Sequence, residues 1–500
     1  MKIKSFLAKP FAFYIYNKVR KGMSTAVADQ DDILKNLLKV GRNTEFGKLH
    51  NLTDVSNYND FKQAVPIKDY EQTKHYIEKI KEGKHNVLWK GRPIYFAKTS
   101  GTTSGIKYIP ITKDSISNHI NTARNALLCY MAETGNTSFA SGKMIFLSGS
   151  PELERVGGIP TGRLSGIVNH HVPQYLRSNQ LPTYETNCIE DWETKLEKIV
   201  DETIDQDMAL ISGIPPWVQM YFDKLKERTG KKIKALFQNF SVLVHGGVNF
   251  EPYKTKSFES IGEKIDAIET FPASEGFFAF QDSQSAEGLL LNTCSGIFFE
   301  FVPAAEIFSG NPTRLSLHDV KVNENYALII TSNAGLWSYN IGDTVKFVST
   351  QPYRLVISGR IKHFISAFGE HVIGEEVEHS LMKAANEENV HITEFTVAPK
   401  IEKEGKSYHE WFIEFENLPV NIDAFAQKID NNLRKKNIYY DDLIRGNILQ
   451  PLKIIVIRKN GFIDYMKFIG KLGGQNKVPR LSNDRAIADA LQKFSAKLVL

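Results

Sequence analysis

The segment Ala97 to Thr112, AKTSGTTSGIKYIPIT, crowds small, hydroxyl-bearing and basic side chains into one turn. Gly101 and Gly105 let the backbone approach a ligand closely, Thr99, Ser100, Thr102, Thr103 and Ser104 offer hydroxyls, and Lys107 adds a positive charge. Backbone amides, hydroxyls and an ammonium converging on one turn make a cradle for an anion, most often a phosphate. The spacing is not that of a P-loop, which needs four residues between its glycines and a lysine directly after the second; here Gly101 and Gly105 enclose three, and Lys107 comes one place late. A polar surface turn has a similar composition. The flanks FAKT and KYIPIT read as short strands, which predicts a hairpin holding Lys107 near the glycines.

Three further blocks lie at predicted strand ends. His245-Gly246-Gly247 follows an apolar strand, so its backbone can lie flat against a planar ring; a plain strand-to-turn glycine pair reads the same way. Glu269 to Gly276, ETFPASEG, sets carboxylates and the hydroxyls of Thr270 and Ser274 beside the ring of Phe271. Glu275 there is either a solvated turn residue or a ligand for Mg²⁺, which takes one or two carboxylates plus substrate phosphates. Tyr339 to Asp343, YNIGD, ends a strand with an acid after a glycine, suited to accept hydrogen bonds from two neighbouring sugar hydroxyls, although Gly-Asp pairs also make ordinary turns. Together the four blocks supply a phosphate cradle, flat backbone, a metal carboxylate and a ribose acid, an inventory for ATP. Other chemistries lack their parts: no GxSxG, HExxH or GxGxxG occurs, GRLSG around Ser165 has the wrong spacing for a nucleophile elbow, and His170-His171 has no second metal-ligand pair.

These turns need a scaffold. QDDILKNLLKVGR places Ile33, Leu34, Leu37, Leu38 and Val40 on helical spacing ending near Gly41, after a first amphipathic helix in MKIKSFLAKPFAFYIYNKVRKG. A helix begins near Asp114 or Ser115, KMIFLSGS is a buried strand, and strands then alternate with helices, which predicts an α/β domain with ligands at the carboxyl ends of its strands. After Gly369 the texture changes. EEVEHSLMKAANEEN and DAFAQKIDNNLRKKN read as helices, and ITEFTVAPKI, SYHEWFIEFEN and PLKIIVIRKN as strands, which predicts a separate small α+β domain.

Composition narrows the partners. A chain of 500 residues exceeds what one core holds, and a net charge of +5 with no basic cluster among aromatics gives no reason to expect nucleic acid. The three cysteines have no CxxC pairing, so neither a disulfide framework nor a zinc knuckle is expected and the cytoplasm is the natural compartment. No long apolar run suggests a membrane span, and Lys9 and Pro10 interrupt anything like a signal peptide.

TSGTTSGIKYIPIT, TFPASEG, YNIGD and SGRIKHFISAFGEHV occur in the order and approximate spacing of the adenylate-forming enzymes, and the chain resembles one branch of them, the Gretchen Hagen auxin-responsive family of acyl acid amido synthetases. NTEFGK, FKQAVPIKDYE, IEKIKEGKHNVLW and GGQNKVPR carry that resemblance over nearly the whole chain, which is shorter than the plant members and looks like a bacterial relative. The resemblance implies an α/β fold with a large N-terminal adenylate-forming domain of mixed sheets and helices over 1–358, a hinge over 359–369 and a small mobile α+β C-terminal domain over 370–500. By motif matching, Ser100, Thr102, Thr103 and Lys107 would contact the ATP phosphates, and Thr270, Phe271 and Ser274 would line the nucleotide. Glu275 would hold Mg²⁺, and Asp343 and Arg360 would face the ribose. Phe271 stands where the family usually has Tyr, so stacking is kept and a phenol hydrogen bond lost. Lys477 matches the C-terminal lysine brought over the phosphates, with Lys471 the fallback. The implied reaction joins a carboxylic acid to an amino acid through an acyl-adenylate. Coenzyme A as second nucleophile, or ATP binding without turnover, are the alternatives. The acid's pocket is expected between the helix after the hairpin, with Arg124 as carboxylate partner, and residues 214–218. A monomer is the default.

Overall fold

The computed structural model describes residues 2–100, 106–172, 177–361, 364–365, 372–401, 407–446, 448–473 and 476–496. Its contacts divide the chain into two units, Met1–Val248 with Ser260–Val356, and Asn249–Glu259 with Ile357–Leu500.

The first unit is built on an eleven-stranded sheet of two characters. On one side Gln180–Leu181, Lys143–Phe146, Met208–Gly213, Val242–Gly246 and Asp266–Ala273 lie parallel. Parallel neighbours need a crossover, and the helix Pro215–Thr229 provides one between Met208–Gly213 and Val242–Gly246. Prolines at its start, where no N–H is needed, and Gly230 in the left-handed region at its end (φ 69°) fix its limits. Strands covered on both faces read as unbroken apolar runs, as in Met208 to Ile211, which are all buried. The other side continues through Gly276–Phe280, Leu289–Leu291, Tyr353–Arg360, Tyr339–Thr350, Asn325–Ser332 and Ile297–Pro303, largely by antiparallel pairing. A four-stranded sheet, ordered Ile106–Ile111, Tyr95–Ser100, Ile159–Gly162, Glu154–Val156, carries the glycine-rich hairpin.

The N-terminal region departs from expectation: the two helices read from the sequence are one, Lys2–Gly41, with Pro10 inside it. Between the two expected pieces MSTAVAD holds no breaker, and Ala12, Ile15, Ala26, Leu34, Leu37 and Leu38 form one buried stripe. Gln30, 2% exposed, pins the helix: its Nε2 donates to the carbonyls of Thr293 (2.8 Å) and Ile297 (2.9 Å), and its Oε1 accepts from Phe299 N (2.8 Å).

The second unit holds a three-stranded sheet in which Tyr408–Phe415 pairs antiparallel with Ile392–Lys400 and parallel with Gln450–Ile457. The helices Gly374–Glu388 and Ile422–Lys436 bury Val377, Leu381, Phe425, Ile429 and Leu433 with Phe395 and Trp411 in one core. This is the small α+β body expected after Gly369, with an addition that sequence order hides. Asn249–Glu259, which follows the Gly246-Gly247 pair, also belongs to this unit. Asn249 Nδ2 donates to Glu378 Oε2 at 2.6 Å, and Tyr253 Oη donates to Glu394 Oε2 at 2.8 Å and accepts from Arg480 Nη2 at 2.7 Å. Arg480 also pairs with Glu378 (3.1 Å) and with Glu394. The boundary between the units otherwise falls within Tyr353–Arg360, just ahead of the expected hinge, of which residues 362–363 and 366–369 lie outside the described residues.

Candidate functional site

The hairpin flanks pair as predicted: Tyr95–Ser100 runs antiparallel to Ile106–Ile111, with Thr99 opposite Lys107 and Ser100 opposite Ile106. Thr102, Thr103 and both glycines lie outside the described residues. Lys107 is thus the second residue of the outgoing strand, and its ammonium stands 5.7 Å from the ring centre of Tyr70.

The strand ending at Gly246 is locked to its neighbour. Gly246 lies opposite Thr270, and a Cβ on it would come 2.3 Å from the Thr270 carbonyl oxygen, so no larger residue fits without moving the strand. Thr270 Oγ1 donates to His245 O at 2.9 Å, a second tie across the same strand ends. Gly247 follows directly, so the bare backbone expected for a planar ring is present.

Ser274 and Glu275 form the two-residue turn joining Asp266–Ala273 to Gly276–Phe280, both partly exposed. Beyond the turn the register slips between Phe277 and Ala279, leaving Phe278 as an extra residue. Asn118, 3% exposed on the helix Ile116–Thr134, grips this bulge. Its Oδ1 accepts from Phe277 N at 2.7 Å, and its Nδ2 donates to Phe277 O at 3.2 Å and Ser295 Oγ at 2.8 Å. A bulge held by a buried amide aims the turn that carries Glu275. Phe271, by contrast, is 5% exposed and packs edge-on against Phe278 at 5.2 Å, so little of its ring is free for stacking.

A second bulge shapes YNIGD. Ala327 faces Thr344 and Ile329 faces Asn340, so residues 341–343 stand opposite Leu328 alone. Gly342 makes this possible with φ 89°, and its N–H donates to Asn340 Oδ1 at 2.9 Å. Asp343, 9% exposed, closes the bulge. Just before it, burial and then the charges of Glu275, Asp69 and Glu71, with Tyr70 alongside, push the Tyr339 phenol well above its usual range. Tyr70 thus stands beside Lys107, and two residues earlier Lys68 bridges to Tyr339.

Arg360, at the end of its strand, and Lys477, in a run without regular structure, are exposed and belong to the second unit. Arg124 is exposed, lies 5.9 Å from the ring of Phe11 on the N-terminal helix, and donates to Asn125 Oδ1 at 3.2 Å. It is turned away from the face of its own helix on which Thr122 accepts from Asn292 at 2.6 Å. His170 is occupied by the Pro151 carbonyl at 2.8 Å, a structural use. Asn118 and Tyr70 were missed by sequence reasoning. Asn118 left no local signal; Tyr70 lies in FKQAVPIKDYE, which the sequence marks without giving it a task.

The mixed eleven-stranded sheet and the small α+β unit match the adenylate-forming fold. A solved structure of the AtGH3.15 acyl acid amido synthetase in complex with 2,4-DB superposes over 96% of each chain with a TM-score of 0.78 and 16% identity. Residues 15–185 match the GH3 family N-terminal domain, 290–360 the GH3 family central domain and 375–486 the GH3 family C-terminal domain. The indole-3-acetic acid-amido synthetase GH3.15 of Arabidopsis thaliana is 35% identical over 418 residues, 67% of this chain and 68% of that protein. The jasmonoyl–L-amino acid synthetase JAR4 of Nicotiana attenuata is 21% identical over 382 residues, a match spanning 63% of this chain and 66% of that protein. The chain belongs to the GH3 family.

Proposed function

We propose that this protein is an ATP-dependent acyl acid amido synthetase: it activates a carboxylic acid as its acyl-adenylate with release of pyrophosphate, then passes the acyl group to the amine of an amino acid. The observation that carries the reading is membership of the GH3 family, supported by the placing of Lys107 at the root of a hairpin, Glu275 in a strand-to-strand turn and Asp343 at a bulge. A phosphate-binding cation, a metal-binding carboxylate and a ribose acceptor are the parts an adenylation site needs.

The chemistry explains the residue types. A carboxylate attacking the α-phosphate brings two anions together, so the charges of Lys107 and, once brought over the phosphates, Lys477 would offset repulsion and stabilise the crowded transition state. ATP enters as substrate, with its base along Gly246-Gly247 beside Thr270, Phe271 and Ser274. Ser100, Thr102, Thr103 and Lys107 would contact its phosphates, and Asp343 and Arg360 would face its ribose. Glu275 suits Mg²⁺, which supplies charge neutralisation at the phosphates. The acyl-adenylate is prone to hydrolysis, and rotation of residues 370–500 about a hinge at 359–369 would exclude water before the amine attacks. The partners are therefore a small carboxylic acid and an amino acid. No helix among the described residues is long and apolar enough to cross a membrane.

The test is ATP–pyrophosphate exchange across a panel of aromatic and aliphatic carboxylic acids, each active acid then being offered amino acids or coenzyme A with product mass recorded. Acid-dependent exchange and an amide product are expected. A thioester would assign the second step to coenzyme A, and exchange with no acid despite ATP binding would overturn the reading. Glu275→Ala should raise the Mg²⁺ concentration needed for half-maximal exchange; an unchanged titration would remove Glu275 from the metal.

A further inference from the structure

The segment FKQAVPIKDYE has no place in the chemistry above, yet it touches two of its parts. Tyr70, 3% exposed, accepts a hydrogen bond from the backbone N–H of Tyr108 at 2.9 Å. Tyr108 is the neighbour of Lys107 on Ile106–Ile111, an edge strand, whose outward N–H groups have no ladder partner. The Tyr70 hydroxyl supplies one, and its ring faces the Lys107 ammonium at 5.7 Å. Two residues earlier the backbone of Lys68 clasps the strand that leads to Asp343: Lys68 N donates to Ser338 O at 3.1 Å, and Asn340 N donates to Lys68 O at 2.9 Å.

Both ends of this three-residue link are held. Asp69 caps the helix Tyr70–Lys81 in a reciprocal capping box with Gln72, which fixes the direction in which Tyr70 leaves the backbone. Ser338 is fully buried in the left-handed region at φ 41°, a conformation costly for a residue with a Cβ. It is kept there by Thr331 Oγ1 on its N–H (2.9 Å), by Glu300 Oε2 accepting from its hydroxyl (2.9 Å) and by Arg314 Nη2 (2.6 Å). The same guanidinium donates to Val65 O (2.6 Å) and Lys62 O (3.0 Å), tying in the chain just before the link.

We propose that Lys68–Tyr70 is a positioning strut that sets Lys107 against the Tyr339–Asp343 strand, so that one nucleotide can be gripped at its phosphates and its ribose together. Tyr70 acts through Lys107 and touches no reacting atom. The inference rests on the proposed reading of Lys107 as a phosphate ligand. Groups that grip one ligand from two strands must be held to about 0.5 Å, and a hydroxyl bonded to an edge-strand N–H beside the lysine does this at the root of the hairpin.

Dissociation constants for ATP with Mg²⁺ and for adenosine, measured by calorimetry on the full chain, test it in Tyr70→Phe, Lys107→Met and the double variant. Tyr70→Phe keeps the ring and loses only the hydroxyl. It should weaken ATP roughly tenfold and leave adenosine unchanged, and in the Lys107→Met background it should cost ATP nothing further. Equal weakening of ATP and adenosine would reduce Tyr70 to general support of the fold and overturn the proposal, as would losses that simply add in the double variant. Unchanged ATP affinity in Tyr70→Phe, with Lys107→Met weakened, would overturn the strut and leave Lys107 in place. Unchanged affinity in Lys107→Met would instead sink the reading beneath it.

Discussion

The two units hold their candidate groups by different means. In the large unit Lys107, Thr270 and Glu275 lie at strand ends where backbone ladders set the register, and where bulges at Phe278 and at 341–343 re-aim what the ladder alone would misdirect. In the small unit Lys477 is exposed in a run with no regular structure. Yet the residues after it are pinned: Val397 N donates to Arg480 O at 2.9 Å, Ser482 N to Val397 O at 2.9 Å, and Thr396 Oγ1 to Pro479 O at 2.7 Å. Arg480 itself is held among Glu378, Glu394 and Tyr253. The groups proposed to bind the nucleotide are thus built into a sheet, while the lysine proposed for the chemical step rides at the root of an anchored segment, three residues from an ion network.

Separating anchor from lysine is the sharpest way to probe that contrast. Arg480→Met should cost about 3–5 kcal/mol by leaving two partly or wholly buried carboxylates without their cation, seen as a lower urea midpoint for loss of Trp411 fluorescence. Lys477→Ala should leave that midpoint within about 0.5 kcal/mol, yet slow ATP–pyrophosphate exchange about 10²- to 10³-fold with little loss of ATP binding. Equal losses in exchange and binding would make it a binding residue only.

The large unit should show a pH sensitivity of its own. His119 is 4% exposed, and burial pulls its imidazole down to about 4. The unfolded chain then takes up a proton that the fold refuses between pH 6.5 and 4, so stability falls as pH drops through that window, by about 2 kcal/mol between pH 7 and 5. His119→Gln should flatten this slope; an unaltered slope would assign the acid sensitivity elsewhere. The smallest effect is expected at Arg124→Gln, which should stay within about 0.5 kcal/mol in stability and leave the KM for every acid unchanged, because the side chain is exposed beside Phe11. A raised KM for one acid alone would return Arg124 to the substrate pocket.

What the sequence discloses is what neighbouring residues encode. The hairpin around Lys107, the glycine pair after a strand and the turn at Glu275 announce themselves through runs of glycine, hydroxyl and apolar residues, and the alternation of strands with helices yields the α/β class. The long-range ties stay hidden because each joins segments far apart in the chain: Asn118 meets Phe277, Tyr70 meets Tyr108, and Arg314 gathers Val65, Glu300 and Ser338. Gln30 makes one helix of two in the same way, through partners on distant strands. Nothing local in EPYKTKSFES shows that it belongs with the small unit, since its tyrosine is matched to Glu394 and Arg480.

That last arrangement bears on how the protein is made. During synthesis Tyr253 emerges long before Glu394 and Arg480, so the segment 249–259 has no lasting home until the stretch that carries Arg480 has left the ribosome. The nascent large unit must fold around an unfinished excursion in the middle of its sheet order, directly after the Gly246 strand. A fragment starting at residue 357 would lack the helix that covers Arg480, so the small unit should not be recoverable by cutting the gene at one place.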